Sequence, residues 1–306
     1  MSTKNPSGSV LVTGATGFLG SHIAQVFENS GREVFRIDRQ SSTSGALVMD
    51  LESVDFKSVL KTEQPDLIIH AAGGASVPFS MQNPNVDFLA GPALLASVLE
   101  SVRVTSPKSR VIFLSSAAIY GNPAKLPIVE SDEVHPISAY GFHKRMSELL
   151  CQEYSQLYGV QTACARIFSA YGSGLRKQVL WDLSSRLSAQ PEKLSLKGSG
   201  TETRDFVHAK DVADAIFLIA EKGRFNADIY NVASGNETAI RTLSELLINA
   251  FGEKTQLAFD GISSQGDPQN WRADISKLSA LGFSPKVNFE NGVNDYVSWF
   301  NANAPR

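Results

Sequence analysis

A short apolar run followed by a glycine-rich turn constrains the fold of this chain more than any other feature. Residues 10–13 read Val-Leu-Val-Thr, which is typical of a buried strand, and residues 18–29 have the apolar spacing of a helix. Gly14 and Gly17 stand between them, and Gly20 follows in the first helical turn. Glycine permits a tight turn and a close approach to a bound group, and the first N–H groups of a helix favour an anion. The arrangement predicts a strand–turn–helix unit that holds the pyrophosphate of a dinucleotide.

Strand and helix patterns continue to alternate through the first half of the chain. Further strands are predicted at 33–38, 67–70, 111–114 and 161–167, and further helices at 92–102 and 139–158. Strands that alternate with helices form right-handed crossovers and a parallel sheet covered on both faces. We therefore predict an α/β fold with a Rossmann-like, doubly wound parallel sheet, whose ligands bind at the carboxyl ends of the strands.

The pattern loosens from Ser169 onward, where loops rich in glycine, serine and proline separate shorter elements. Residues 212–221 are predicted to form a helix and 228–232 a strand that returns to the first sheet, and the tail, 282–300, ends in an amphipathic helix. We predict a dinucleotide-binding domain over 1–168 that also takes in 211–235. The rest of 169–306 is predicted to form a smaller, loop-rich substrate lobe.

Composition limits the partners and the compartment. The chain has 306 residues, 42% hydrophobic and 19% charged, with a net charge of −3 and no long basic run, which argues against nucleic acid and membrane surfaces. Cys151 and Cys164 have neither metal-ligand spacing nor the density of a secreted scaffold, so no metal site is predicted. The polar first nine residues and the absence of an apolar stretch near 20 residues predict a soluble cytoplasmic protein.

Tyr140 and Lys144 are the residues most typical of chemistry. Their spacing places both side chains on one face of the predicted helix over 139–158, where an ammonium can lower the pKa of a phenol and make it a usable acid or base. Ser115 and Ser116 follow the fourth strand directly, so one hydroxyl can hold a substrate oxygen. Together with the glycine turn, these residues predict a cofactor-dependent redox enzyme. His143, next to Lys144, is expected to point away from this site.

Asp38 is the residue that predicts the cofactor. It closes the second predicted strand, eighteen residues after Gly20. A carboxylate there hydrogen-bonds the ribose hydroxyls of NAD and repels the additional phosphate of NADP. Arg39, the next residue, would instead favour that phosphate. We predict NAD, with NADP as the alternative because of Arg39.

The combination of motifs resembles the extended short-chain dehydrogenase/reductase family, which includes NAD-dependent nucleotide-sugar epimerases, reductases and dehydratases. The resemblance spans nearly the whole chain. Its motifs lie at 14–20, 50–51, 71–73, 115–121, 140–144, 204–208 and 231–235. Each motif is short, and the combination is what carries the resemblance.

The resemblance implies roles for particular residues. The residues implied to bind the cofactor are Gly14, Thr16, Gly17, Phe18, Leu19, Asp38, Arg39, Asp50, Leu51, Ala71, Ala72, Gly73, Tyr140 and Lys144. Ser116, rather than Ser115, matches the catalytic Ser/Thr, Tyr140 the acid/base, and Lys144 the lysine that holds the nicotinamide ribose. On the substrate side, Arg204 matches an arginine that meets the phosphates of a nucleotide sugar.

Several positions depart from the family pattern. Ala117 and Ala118 stand where the 4,6-dehydratases carry an Asp-Glu pair, which argues against a dehydratase. Ser169 replaces the usual asparagine, and the second phosphate-binding arginine is missing from its expected place, which leaves Arg176, Lys177 and Arg272 as candidates. The helix motif over 88–94 also differs, and these gaps argue against a close UDP-galactose 4-epimerase.

The resemblance implies a nucleotide-sugar epimerase that transfers a hydride at a sugar carbon, with carbon 4 as the expected position. A 4-ketoreductase acting on a 4-keto-6-deoxy sugar is the first alternative. A non-sugar reductase and an NAD(P)-binding regulator are two others. The resemblance also implies a nucleotide-diphosphate sugar as substrate, a homodimer formed through the helices after Pro92 and Ala139, and a place in polysaccharide biosynthesis.

Overall fold

The computed structural model describes residues 8–38, 47–48, 55–262 and 268–304. Its strands are β1 Ser9–Thr13, β2 Glu33–Asp38, β3 Leu47–Val48, β4 Leu67–His70, β5 Arg110–Ser116, β6 Thr162–Ile167, β7 Ser169–Tyr171, β8 Lys193–Leu196, β9 Thr203–Arg204, β10 Phe206–His208, β11 Asn226–Val232, β12 Thr238–Ala239 and β13 Gln256–Phe259. Its α-helices are α1 Phe18–Asn29, α2 Phe56–Glu63, α3 Val77–Gln82, α4 Pro84–Phe88, α5 Leu94–Thr105, α6 Ala139–Tyr158, α7 Gln178–Leu187, α8 Ala209–Lys222, α9 Ile240–Phe251, α10 Ser276–Ser279 and α11 Phe289–Asn303.

A parallel sheet forms the centre of the fold. Within the described residues its strand order is β3-β2-β1-β4-β5-β6-β11, and the two-residue β3 stands at one edge. The order reverses between β1 and β4, where Val10 is paired with Val34 on one side and Leu67 on the other. Ligands of doubly wound sheets bind at such a switch point, beyond the carboxyl ends of the strands. The predicted Rossmann-like class is confirmed, and the predicted strand at 228–232 joins this sheet by pairing with β6.

Both faces of the sheet are covered, as expected for strands that are apolar throughout. Val10 and Val12 pack with α1 and α8 on one face. Leu11 and Ile68 pack with α2 and α5 on the other. The alternation of side chains along β1 therefore builds two cores from one strand.

The longest helix, α6, is bounded by local signals. Ser138 precedes it, and the Ser138 Oγ accepts a hydrogen bond from the Gly141 N–H at 3.1 Å. Gly159 ends it with a left-handed φ of 71°, which glycine adopts at little cost. Because both ends are defined by adjacent residues, its predicted bounds are those observed.

The helix predicted at 92–102 differs from the structure. It begins at Leu94, and a π-helical turn over Leu89–Ala93 that contains Pro92 joins it to α4. The resulting stretch, Pro84–Thr105, is long and apolar enough to span a membrane, so the expectation that no stretch reaches that length was wrong. Leu95 and Leu99 are fully buried in the sheet core, but only 39% of the apolar window is buried, and the stretch qualifies by length and composition alone.

The second half of the chain forms smaller sheets and a separate core. β7 pairs with β10, β8 with β13, and β9 with β12. The helices α7, α9 and α11 pack around a third apolar cluster that includes Leu183, Leu247 and Tyr296. These elements place Arg204, at the end of β9, above the carboxyl edge of the first sheet through the contacts described below.

Candidate active site

The glycine turn has the geometry expected for a phosphate-binding loop. Gly14 has a φ of 69°, and a Cβ there would stand 2.8 Å from the backbone nitrogen of Ala72, so no larger residue fits. A Cβ on Gly20 would collide with the Gly14 carbonyl oxygen. Gly17 caps α1 without a side-chain hydrogen bond to the first turn. The turn therefore offers close backbone and helix N–H groups, which fits a dinucleotide pyrophosphate.

Neighbouring strand ends hold this turn in place. The Thr16 N–H donates to Asp38 Oδ2 at 2.9 Å, so the carboxylate at the end of β2 lies beside the turn. The Ala71 N–H donates to the Thr13 carbonyl at 3.2 Å, and Gly73 follows with a φ of 132°. Phe18 lies near Gly174, and Leu19 packs against the core. The remaining predicted cofactor residues, Arg39, Asp50 and Leu51, lie outside the described residues.

The two serines at the end of β5 have different environments because successive strand residues point to opposite faces. The Ser115 hydroxyl is buried and donates to Glu148 Oε1 at 2.7 Å. The Ser116 side chain acts on the Tyr140 phenol and lowers its pKa in part, and the Ser116 Oγ accepts a hydrogen bond from the Ala118 N–H at 3.2 Å. The structure thus brings Ser116, and not Ser115, together with Tyr140.

Tyr140 is buried, and its pKa is raised, whereas the sequence suggested a lowered pKa. Burial raises the pKa of Tyr140 to about 12, the hydrogen bond from Ser116 lowers it in part, and the Asp87 carboxylate raises it further. The Lys144 nitrogen lies 5.7 Å from the centre of the Tyr140 ring. The pKa of Tyr140 is therefore raised overall in the protein alone, because burial and the Asp87 charge outweigh the effect of Ser116, and the lowering of this pKa by Lys144 stays a prediction.

Lys144 donates from Nζ to the Leu114 carbonyl at 2.8 Å and lies over the Phe113 ring. Burial lowers the pKa of Lys144 to about 8, although the Asp87 and Glu148 carboxylates raise it. The Leu114 carbonyl of β5 thus holds the Lys144 ammonium next to Tyr140. Because the pKa of Lys144 is about 8, its protonation changes close to neutral pH.

A pH-dependent stability follows from the buried Lys144. The pKa of Lys144 is about 8 in the folded protein, below its ordinary value of 10.5. Below pH 8 the lysine is charged in both the folded and the unfolded protein, so the full cost of burying the charge lowers the unfolding free energy. Between pH 8 and 10.5 only the unfolded protein binds the proton, so the unfolding free energy rises with pH. From about pH 7.5 to 9.5, wild type should gain about 2 kcal/mol of unfolding free energy relative to Lys144→Met. Urea unfolding at several pH values measures this difference. A constant difference between the two proteins would show that Lys144 keeps its ordinary pKa.

Arg204 lies at the boundary between the sheet and the second lobe. Its guanidinium stands 5.6 Å from the centre of the Trp271 ring and donates to the Thr203 and Gln269 carbonyls at 2.8 and 3.3 Å. Trp271 is nearly buried, and its Nε1 donates to the Gly121 carbonyl at 3.0 Å, in the loop that follows Ser116. Trp271 thus connects Arg204 to the catalytic side of the sheet.

A buried carboxylate organises the segments around Arg204. Asp205 accepts hydrogen bonds from the Ser234 N–H and hydroxyl, the Gly235 N–H and the Ala273 N–H, at 2.8 to 3.1 Å. Burial nevertheless raises the pKa of Asp205 to about 6. Asp205 therefore joins the segment that carries Arg204 to the segment that carries Arg272.

The three other predicted substrate residues lie in different surroundings. Arg272 is half-buried, and its Nε has no hydrogen-bond partner among the described residues. Ser169 opens β7, and its N–H donates to the Asp205 carbonyl at 3.0 Å. The Arg176 guanidinium instead lies over Trp181 and Trp299 and donates to the Asn303 carbonyl, which holds it against α11. The role of each stays a prediction.

A buried ion pair beneath the catalytic strand was not predicted from the sequence. Arg166 donates to both Glu148 oxygens at 2.9 Å, and both side chains are only 2% exposed. Arg166 also donates to the Tyr120 hydroxyl, which donates to Asn231 Oδ1. Because the Ser115 hydroxyl donates to Glu148, this network supports the carboxyl end of β5. The sequence signal that could have indicated this pair is Arg166, a charged residue within the otherwise mostly apolar strand β6.

A second buried pair was also missed. His143 Nδ1 lies 2.6 Å from Asp87 Oδ2, so His143 does not point away from the site as expected. The carboxylate of Asp87 lies in a small cleft that is also lined by Tyr140 and Lys144. An aspartate within the apolar stretch Pro84–Thr105 was the signal that could have identified this pair.

A glycine turn at a topological switch point, beside a Ser–Tyr–Lys group at the end of β5, defines a nucleotide-dependent enzyme of the short-chain dehydrogenase/reductase type. Residues 10–233 match the model of the NAD-dependent epimerase/dehydratase family. The chain belongs to this family.

Individual relatives match over nearly the whole chain. The UDP-N-acetylglucosamine 4-epimerase of Methanobrevibacter ruminantium, solved with UDP-N-acetylmuramic acid, is 28% identical with a TM-score of 0.88, over 97% of this chain and 99% of its own. MoeE5, solved with UDP-glucuronic acid and NAD, is 26% identical with a TM-score of 0.88, over 96% and 99%. The UDP-glucuronate 4-epimerase 1 of Arabidopsis thaliana is 25% identical over 95% of this chain and 76% of its own.

Proposed function

We propose that this protein is an NAD-dependent nucleotide-sugar 4-epimerase that acts on a UDP-sugar. The observation that carries the proposal is the contact between Ser116 and Tyr140, with Lys144 on the same helix face, at the sheet edge where the glycine turn lies. The 4-epimerase relatives and the NAD-bound neighbour support the reaction class and the cofactor. Ala117 and Ala118 follow Ser116 without an acid, which speaks against dehydration.

Proton transfer is the task of the chain's own residues. Ser116 would hold the hydroxyl oxygen at carbon 4 of the sugar, and the phenolate form of Tyr140 would take the hydroxyl proton. Since Tyr140 alone has a pKa of about 12, positive charge near the phenol must favour its ionised form during turnover. Lys144, when protonated, is the source of such charge within the chain.

NAD, when bound, would supply a hydride acceptor and donor for carbon 4 and a positive charge beside the phenol. The residues proposed to hold it are Gly14, Thr16, Gly17, Phe18, Leu19, Asp38, Ala71, Ala72, Gly73, Tyr140 and Lys144, with Arg39, Asp50 and Leu51. Tyr140 would give its proton back to the same oxygen after the ring has turned. With the hydride also returned to carbon 4, on the other face, the sugar undergoes no net oxidation and the product is the epimer.

The substrate phosphates are proposed to lie between Arg204 and Arg272. A guanidinium recognises phosphate oxygens through paired N–H donors. Asp205 holds the two segments together, and the unpartnered Nε of Arg272 leaves a donor for an anion among the described residues. Ser169, next to Asp205 in space, would contact the same ligand, and Arg176 is a weaker candidate because Trp181 and Trp299 hold it.

The experiment that tests the function has two parts. The purified protein is denatured and its released nucleotide is identified by absorbance and mass spectrometry, and the native protein is incubated with UDP-glucose, UDP-glucuronic acid and UDP-N-acetylglucosamine. Bound NAD and formation of the 4-epimer of one sugar are expected, and Arg204→Met should raise KM more than it lowers kcat. An empty protein that binds added NADPH and reduces a 4-keto sugar would instead identify a ketoreductase.

The organisation of the chain is part of the proposal. We propose that 1–168 with 211–235 binds the cofactor and that the rest of 169–306 binds the sugar. The free, buried thiols of Cys151 and Cys164 support a cytoplasmic location, where thiols stay reduced. Synthesis of a polysaccharide is the process that a nucleotide-sugar epimerase would serve.

We further propose the homodimer expected from the sequence, formed through α6 as predicted but with α3 and α4 in place of α5, the helix after Pro92. This face exposes large apolar side chains, each 39 to 52% accessible: Phe79, Met81, Val86, Phe88, Leu89, Phe142, Met146 and Leu149. An apolar surface of this kind is typical of an interface. Sedimentation of the wild type should give twice the chain mass, and Met146→Glu should give the monomer. A wild-type monomer would disprove the proposed dimer.

A further inference from the structure

The Asp87–His143 pair is built into the apolar helices that flank the catalytic residues. Asp87 is 3% exposed, and its Oδ2 lies 2.6 Å from His143 Nδ1. Since a carboxylate only accepts hydrogen bonds, Nδ1 carries the proton that joins them. Phe88 packs its ring edge-on against His143 at 5.7 Å and shields the pair.

The second oxygen of Asp87 is unusual. Oδ1 is buried and has no hydrogen-bond partner among the described residues. It faces Gly74, where a Cβ would collide with it, so only glycine leaves room for this orientation. A buried, half-satisfied carboxylate is costly, so its charge needs a cation nearby.

Lys144 is the cation available in the same cleft. Asp87, His143 and Lys144 line it together with Tyr140, and His143 immediately precedes Lys144 on α6. The Lys144 ammonium donates to the Leu114 carbonyl, which is neutral, so that contact supplies no counter-charge.

We propose that Asp87, oriented by His143, is a positioning residue that keeps Lys144 protonated beside Tyr140. The inference rests on the proposed function for the roles of Tyr140 and Lys144. Burial drives the lysine toward its neutral form, which would remove the charge that supports the phenolate. Asp87 opposes that tendency through its negative charge, and His143 prevents the carboxylate from turning away.

Two other titratable groups interact with Lys144 from outside this cleft. Glu148 of α6 also favours the protonated lysine, but it is already paired with Arg166. His70 of β4 is buried and stays neutral because burial and Lys144 lower its pKa to about 3. Asp87 additionally raises the pKa of Tyr140, so its negative charge acts on both groups that share the cleft. Asp87 is therefore the buried carboxylate near Lys144 that lacks an arginine partner within the described residues.

The test measures the protonation of Lys144 through stability, without substrate. Unfolding free energy is followed by urea from about pH 6.5 to 10 in wild type, Asp87→Asn, Lys144→Met and the double variant. Asp87→Asn should move the onset of the stability gain to lower pH by about one unit. That shift should be absent when Lys144 is already Met. Glu153→Gln, an exposed carboxylate on the same helix, is the matched control and should leave the onset unchanged.

A second variant keeps the test decisive if Asp87→Asn does not fold. His143→Phe removes the hydrogen bond that orients the Asp87 carboxylate, so the carboxylate can turn away from Lys144 and the onset should move in the same direction. An unchanged onset in the folded variants, or a shift that persists in the Lys144→Met background, would overturn the inference. Because these measurements need no sugar, they are independent of whether the epimerase assay succeeds.

Discussion

Tyr140→Phe is expected to lower turnover with a UDP-sugar by about 10²- to 10⁴-fold while leaving NAD binding nearly unchanged. The phenol oxygen is the group placed to take the sugar hydroxyl proton, because its neighbour Ser116 is hydrogen-bonded to it at the end of β5. Phenylalanine preserves the ring that lies beside the Lys144 ammonium. The variant should therefore fold normally and lose only proton transfer. Rates of epimer formation and calorimetric titration with NAD measure the two quantities.

The matched control for this variant is Tyr158→Phe. Tyr158 stands at the other end of α6 and is 51% exposed, so removal of its hydroxyl should change neither rate nor binding. Equal turnover in wild type and Tyr140→Phe would contradict the mechanism. A loss of NAD binding together with activity would show that the Tyr140 hydroxyl serves to hold the cofactor and would leave its role in proton transfer unsupported.

Arg166→Met is expected to destabilise the protein by about 3–5 kcal/mol. The substitution removes the two 2.9 Å hydrogen bonds of Arg166 to Glu148 and leaves this carboxylate, only 2% exposed, with the longer 3.4 Å contact to Arg145. It also removes the donor to the Tyr120 hydroxyl at 2.8 Å. Urea unfolding at neutral pH measures the change. The double variant Arg166→Met/Glu148→Gln should recover part of the loss, since no buried charge then remains.

Arg103→Met provides the comparison at the surface. Arg103 is paired with Glu100 on the exposed side of α5, where water screens both charges. Its loss should be hardly measurable. If Arg166→Met cost no more than Arg103→Met, the buried pair would not be a support of the catalytic strand.

Local signals explain which parts of the fold were predictable. The glycine turn, α1, β2, β4 and α6 have their predicted bounds because each is defined by neighbouring residues, such as the Ser138 cap and Gly159 at the ends of α6. Ser116, and not Ser115, acts on Tyr140, while Ser115 donates to Glu148. The two side chains are separated because successive residues of a strand point to opposite faces of the sheet. By contrast, the start of α5 was wrong because Pro92 lies in a π-helical turn within a continuous helical stretch.

Electrostatic properties of the site were not predictable in the same way. The spacing of Tyr140 and Lys144 placed them on one helix face, but the sign of the Tyr140 pKa shift depends on burial by residues far apart in the chain. The Asp87–His143 contact spans 56 positions, and Arg166 meets Glu148 from another element. Such pairs leave no local pattern.

The sequence by itself determined the family and the parallel sheet, and it predicted the glycine turn as a phosphate site and Ser116, Tyr140 and Lys144 as the catalytic group, because these follow from adjacent residues and their periodicity. Only the tertiary structure decided which charges surround that group. It placed Asp87 beside Lys144, held Arg176 against Trp299, and joined Arg204 to Arg272 through Asp205. Burial and charge act through space, so their balance is set by packing between distant elements and not by the order of residues along the chain.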